Sequence, residues 1–274
     1  MRRWWQEITG LVLPVDCAGC GRWRTVLCEE CRAALSGSRA HRVWPDPVPV
    51  GLPPVHAAAR YGDRVRSVLL AHKERGALAL AGPLGAALAG AVRSVAEGEN
   101  GGAGGEGEVG RGGGGPLLLV PVPSARHAVA ARGHDPGRRI ALAAAGVLRR
   151  AGLPARTAAV LRQRRAVADQ AGLDARQRRA NVSDALGVLK GAEGLLCQRG
   201  PVVLVDDLMT TGASLSEAAR AVSLVGGRLL GAAVVATVER TPVGPAPRIN
   251  GTLGERHSLM RETAGKHLNG GTPR

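Results

Sequence analysis

Short apolar runs alternate with amphipathic stretches through most of the chain, and that alternation predicts its elements. From Val55 a short strand, HAAAR, is followed by two Ala/Leu-rich helices punctuated by Gly76 and Gly82. A strand is predicted at 117–123 (LLLVPVP), a helix around RRIALAAAGVLRRAG, and a further strand at 157–163 (TAAVLRQ). After a polar stretch come the apolar strand PVVLVDD (201–207), the helix SLSEAARAVSLVGG and a last strand, LLGAAVVATVER. Continuous apolar strands alternating with helices predict an α/β fold whose sheet is mainly parallel and covered on both faces.

Two segments fall outside this pattern. Residues 97–115, EGENGGAGGEGEVGRGGGG, have nothing to bury and read as a disordered insertion. Gly110, Gly112 and Gly115 satisfy GxGxxG there, but a strand follows where a dinucleotide fold needs a helix, so the match is set aside. The tail 242–274 is rich in Gly, Pro and Thr and also reads as disordered. The domain reading is therefore an N-terminal module with its linker over 1–54, an α/β domain over 55–241, and the tail.

Cysteine spacing gives the N-terminal module its chemistry. Cys17, Cys20, Cys28 and Cys31 form C-x2-C-x7-C-x2-C, two turns that can aim four thiolates at one tetrahedral Zn²⁺. Metal binding then supplies folding free energy that so short a segment cannot draw from apolar burial. A redox pair or disulfides are the competing reading. No stretch approaches the roughly 20 apolar residues of a membrane span and no signal peptide is visible, which points to a soluble cytoplasmic protein without membrane insertion.

The most informative string is PVVLVDDLMTTGASL, 201–215. It places Asp206 and Asp207 at the C-terminal end of a buried strand, where open α/β sheets bind ligands. Backbone N–H groups of Thr210, Thr211, Gly212 and Ala213, with the hydroxyls of Thr210, Thr211 and Ser214, can cradle a phosphate at the start of the next helix. The carboxylates can accept hydrogen bonds from vicinal sugar hydroxyls or approach Mg²⁺ through water. The plainer alternative is an acidic strand end and a helix capped by Ser214 or Thr211.

Charge concentrates nearby. The net charge is +15, carried by arginine, since only Lys73, Lys190 and Lys266 are lysines. Thirteen arginines stand between Arg126 and Arg179 against Asp135, Asp169 and Asp174. Such an excess suits a polyanionic ligand or a nucleic-acid backbone, or is a solvated surface in an arginine-rich composition. Trp4, Trp5, Trp23, Trp44 and Tyr61 are the chain's aromatics, so any base-stacking platform lies N-terminal. His72, His127 and His134 lack metal-ligand spacing and read as surface or loop residues.

VVLVDDLMTTGAS resembles the phosphoribosyl pyrophosphate (PRPP) signature of type I phosphoribosyltransferases. With the double CxxC, the chain from Cys17 to about Glu239 is similar to the ComF family of late-competence proteins. LLAHKERG (69–76), VPVPSARHAVAARGHD (120–135) and ADQAGLDARQRRANV (168–182) resemble further strings of that family, in order. The resemblance implies a phosphoribosyltransferase-type sheet with a zinc module, PRPP with Mg²⁺ as ligand, and a role in DNA uptake during natural transformation. It places Asp206 and Asp207 at the catalytic centre, and Thr210, Thr211, Gly212, Ala213 and Ser214 on the ribose 5-phosphate. Ser124, Arg126 and Arg132 fall beside the pyrophosphate, and Gln170, Arg178, Arg179 and Asn181 in a hood loop. Single-stranded DNA or DNA-uptake proteins are the further partners it implies. A non-catalytic regulatory or nucleic-acid-binding module using the same phosphate pocket is the alternative. His134, Asp135 and Pro136 depart from the family's string, where an aromatic, Asn and Gln usually follow Arg-Gly.

Overall fold

The computed structural model describes residues 16–36, 39–100, 115–165, 184–198 and 200–238. The calls made above on 101–114, on Gln170, Arg178, Arg179 and Asn181, and on the tail lie outside them.

Three apolar runs build the middle of the sheet. β3 (Leu117–Pro121) is buried at every position, β7 (Val202–Met209) at its first four, and β8 (Leu229–Thr237) from Gly231 onward. Strands buried on both faces pair in parallel, with β7 between β3 and β8. β2 (Val55–Arg60) joins parallel to β8 and β4 (Ala155–Thr157) parallel to β3, while the short β1 (His41–Val43) adds an antiparallel edge. The order is β1-β2-β8-β7-β3-β4. This is the mainly parallel α/β sheet that the alternation predicts.

One face is covered by α1 (Glu29–Ser36), α2 (Asp63–Lys73), α3 (Ala81–Asn100) and α5 (Pro136–Arg150), whose buried side chains share one core with Leu119, Val203, Val205 and Val235. On the other face α7 (Ala213–Ser223) sets Leu215, Ala218, Ala219 and Val222 against Leu118, Leu204 and Val234. α4 (Arg126–Arg132) follows β3, and a two-stranded antiparallel ribbon of β5 (Leu161–Gln163) and β6 (Leu186–Val188) precedes α6 (Glu193–Gln198).

With almost no aromatics, the core closes through small residues. An added Cβ on Gly85 of α3 would lie 2.4 Å from Ala143 Cβ of α5 and 2.9 Å from its carbonyl carbon. Gly85→Val is therefore expected to lower unfolding free energy by about 2 kcal/mol, the middle of the range for forcing carbon into a packed core. A denaturant midpoint unchanged from the parent would refute that close contact.

The structure corrects several local expectations. TAAVLRQ is two strands, because Val160 N–H bonds back to Ala158 O at 2.9 Å and turns the chain out of the main sheet. α3 runs through Glu97 to Asn100, into the stretch read as unstructured, since extending a helix already packed on the core costs little. The segment read as linker contributes α1's last turns and β1, and it buries Val43 and Leu52 in the α7-side core. Cys17, Leu27, Cys28, Cys31 and Leu35 belong to the same core as α2 and α3, so the cysteine segment shares its apolar burial with the sheet body. All described residues fall within one compact unit ending at Thr241.

Residues Leu78–Gly98 are long and apolar enough to cross a membrane by length and composition, contrary to the reading above. Their apolar face is nevertheless spent in the core, with Leu80, Leu84, Leu88, Ala91 and Val92 fully buried.

Candidate functional site

Sheet order selects one place for a ligand. The connection β7–α7–β8 runs toward one edge and β3–α5–β4 toward the other, so the loops leaving the C-terminal ends of β3 and β7 diverge. Divergence of that kind opens a crevice at the carboxyl ends of the strands. Val122 N–H donates to Val205 O at 3.0 Å, bringing the loop that carries Ser124 beside Asp206.

Asp207 is 11% exposed in its side chain, and its Oδ2 accepts from Lys73 Nζ at 2.8 Å. Asp206 turns a carboxylate oxygen to the Asp207 N–H at 2.8 Å. Burial, reinforced by the Asp207 charge, pushes the Asp206 carboxyl well above the usual carboxylate range. Burial alone would lower the Lys73 ammonium; Asp207, followed by Asp206, outweighs it and holds Lys73 above its ordinary value. Lys73 is the site residue absent from the sequence-based assignment. It stands in the LLAHKERG string, but nothing local indicates that it reaches across to a residue 134 positions later.

Beyond Met209 the chain crosses Thr210 and Thr211 to Gly212, whose left-handed backbone (φ 71°) starts α7. No side chain caps that helix, so neither Ser214 nor Thr211 serves as the cap of the plainer alternative. The N–H groups of Ala213, Ser214 and Leu215 have no carbonyl a turn earlier in the helix. Gly212 is backed by the 45–52 segment, where an added Cβ would meet Leu52 at 3.1 Å and Pro45 at 3.3 Å. Ser216 Oγ donates to Val50 O at 2.6 Å, fastening the same segment to α7.

Arg126 opens α4 and Arg132 ends it. Arg132 donates to Glu74 at 2.8 Å and to Ala128 O at 2.9 Å, so it braces the end of α2 next to Lys73. The three residues outside the family string have structural work. Asp135 caps α5 by accepting from Arg138 N–H at 3.0 Å, Pro136 occupies the first turn, and a ring nitrogen of His134 lies 3.3 Å from His72 O. His72 is buried rather than at the surface, and burial lowers its imidazolium pKa from the ordinary value.

The four N-terminal cysteines converge independently of this crevice. Their sulfurs all lie within 4.8 Å of one another, with Cys20 and Cys28 Sγ 3.6 Å apart. Tetrahedral Zn–S bonds of about 2.3 Å set sulfurs about 3.8 Å apart, so the cluster fits a metal ion such as Zn²⁺. All four are free cysteines. Burial opposes ionisation of Cys17, but the N–H groups of Cys28, Cys20 and Gly19 outweigh it and bring its thiol down to about 6. Burial pushes the Cys31 thiol up. Gly19 sits against this cluster, where an added Cβ would fall 2.6 Å from Cys31 Sγ. Gly19→Ala is expected to weaken Zn²⁺ binding roughly 10–100-fold, as for other residues that orient a ligand. Competition with a chromophoric chelator measures it, and unchanged affinity would refute the contact.

No protein-family model matches the chain, and no curated protein matches it. A cavity of about 750 Å³ lies elsewhere, lined by Ala33, His41, Ala59, Arg60, Asp63 and Arg64. It is an open groove between α1, β1 and the start of α2, whereas the charged groups and the uncapped helix converge on the β3–β7 crevice.

Proposed function

We propose that this chain is a ComF-like protein of the phosphoribosyltransferase fold that binds PRPP or a related phosphoribosyl ligand in the β3–β7 crevice, and that it serves DNA uptake in the cytoplasm during natural transformation. One observation carries the reading. A buried central strand carries two carboxylates just before its end at Met209 and passes, through a left-handed glycine at Gly212, into an uncapped helix. Hydroxyl acceptors and phosphate donors at that separation match a phosphorylated ribose.

In this reading Asp206 and Asp207 accept from the ribose hydroxyls. The backbone of Thr210–Ser214 holds the 5-phosphate, and the loop carrying Ser124 flanks the pyrophosphate. The resemblance assigns the remaining anion contacts to Arg126 and to the hood residues Gln170, Arg178, Arg179 and Asn181. Mg²⁺ bound with PRPP would neutralise charge on the pyrophosphate, and Asp206 and Asp207 are the residues that would hold it. If transfer occurs, the chain's contribution is to orient the ribose and stabilise charge separation at its C1. Zn²⁺ in the cysteine cluster is structural. Calorimetric titration with PRPP and Mg²⁺ tests binding, and pyrophosphate release over candidate bases tests turnover; absence of PRPP binding overturns the reading.

The arginine excess favours a second reading, a non-catalytic module that binds single-stranded DNA. Arg138, Arg139, Arg150 and Arg156 are exposed on and beyond α5. Affinity is then expected to fall with salt at a slope of about −0.7 per phosphate contact. Arg178→Ala with Arg179→Ala should flatten that slope in fluorescence anisotropy, and Arg274→Ala should not. No DNA binding near physiological salt, with PRPP still bound, would leave the arginines to the small anion.

A further inference from the structure

Lys73 occupies a position that the acidic pair's chemistry would otherwise leave to a metal. Three ties fix the last turn of α2 over the crevice. Lys73 bonds Asp207 at 2.8 Å, Glu74 bonds Arg132 at 2.8 Å, and a ring nitrogen of His134 lies 3.3 Å from His72 O. The Asp207 carboxylate is nearly buried, with one oxygen already engaged. The Lys73 ammonium lies in direct contact with that carboxylate and balances its charge.

We propose that Lys73 is the resident cation of this site, neutralising Asp207 while the crevice is empty and competing with a divalent cation for it, so that metal arrival frees the ammonium for a pyrophosphate group. The inference rests on the phosphoribosyl reading for the identity of the anion, whereas the competition rests on the Lys73–Asp207 contact alone. Like charges cannot share one carboxylate oxygen at close range without mutual repulsion. Displaced from Asp207, the ammonium still extends from the end of α2, which Glu74 ties to Arg132 of α4. An ammonium is a compact point charge with three donors, suited to phosphate oxygens.

The test uses the full chain in chelator-free, metal-depleted buffer. Mn²⁺ is titrated by electron paramagnetic resonance, and inorganic pyrophosphate is titrated calorimetrically without metal. Lys73→Met is expected to raise Mn²⁺ affinity about tenfold and to lower metal-free pyrophosphate affinity about tenfold, the scale of one charge-assisted hydrogen bond. Lys73→Arg, which keeps the charge, is expected to leave Mn²⁺ affinity near the parent value. Asp207→Asn is expected to lower Mn²⁺ affinity while raising that for metal-free pyrophosphate, because the ammonium is released.

A purely structural tie would not move the two ligands in opposite directions. With native circular dichroism, Mn²⁺ affinity that is unchanged or lower in Lys73→Met overturns the inference. So does an equal rise in Lys73→Arg. A parent chain that binds Mn²⁺ but neither pyrophosphate nor PRPP overturns the phosphoribosyl reading, and the Mn²⁺ comparison still decides the competition at Asp207.

Discussion

Asp206→Asn combined with Asp207→Asn is expected to lower PRPP affinity at least about a hundredfold, since two hydrogen bonds to charged acceptors are lost. Folding should survive. The Asp207 pair with Lys73 is partly open to solvent on the lysine side, 36% exposed, which limits what its loss costs. Titration calorimetry and a denaturant curve on the same sample separate the outcomes. Retained affinity would mean that the carboxylates do not touch the ligand. A collapsed denaturant midpoint would make them structural.

Elemental analysis is expected to find one Zn²⁺ per chain, and its removal is expected to destabilise far more than the cysteine segment. Cys17, Leu27, Cys28, Cys31 and Leu35 share a core with Val68, Leu84 and Leu88, so losing the metal loosens the packing over α2 and α3. Structural zinc contributes folding free energy directly. At this chain size about 1 kcal/mol moves Tm by roughly 2–4 °C, so several kcal/mol correspond to a fall of about 10 °C. A metal-free protein with four titratable thiols and an unchanged melting curve would sink the assignment.

Local patterns carried the strand–loop–helix of 201–223 and the cysteine cluster, because each is written in one continuous stretch. Val202–Val205 announce a strand buried on both faces, and Gly212 announces a left-handed turn. What stayed hidden depends on contacts between distant segments. Lys73 and Asp207 are brought together by the parallel sheet, and no periodicity encodes that meeting. β1 was hidden for the same reason: three residues of ordinary polarity become a strand only because β2 offers an open edge. His72 looked solvent-facing in a polar string, yet the α2 register points it at Ala77 O and His134. The Glu97 boundary was missed because composition changes at Glu97 whereas the helix responds to the core behind it.

The ribbon of β5 and β6 bears on how this scaffold can vary. Gln163 is paired directly with Leu186, and Arg164 N–H reaches Ala185 O at 2.7 Å, so the chain departs and returns at one spot. The return side is clamped to α7: Glu217 accepts from Leu186 N–H at 3.0 Å, and Arg220 bonds both Glu217 and Leu186 O. A replaceable cassette is the result. Because closing a longer loop costs only about 0.6 kcal/mol per doubling, the stretch between Arg165 and Asp184 can change length or composition while the strands, the acidic pair and the start of α7 keep their places.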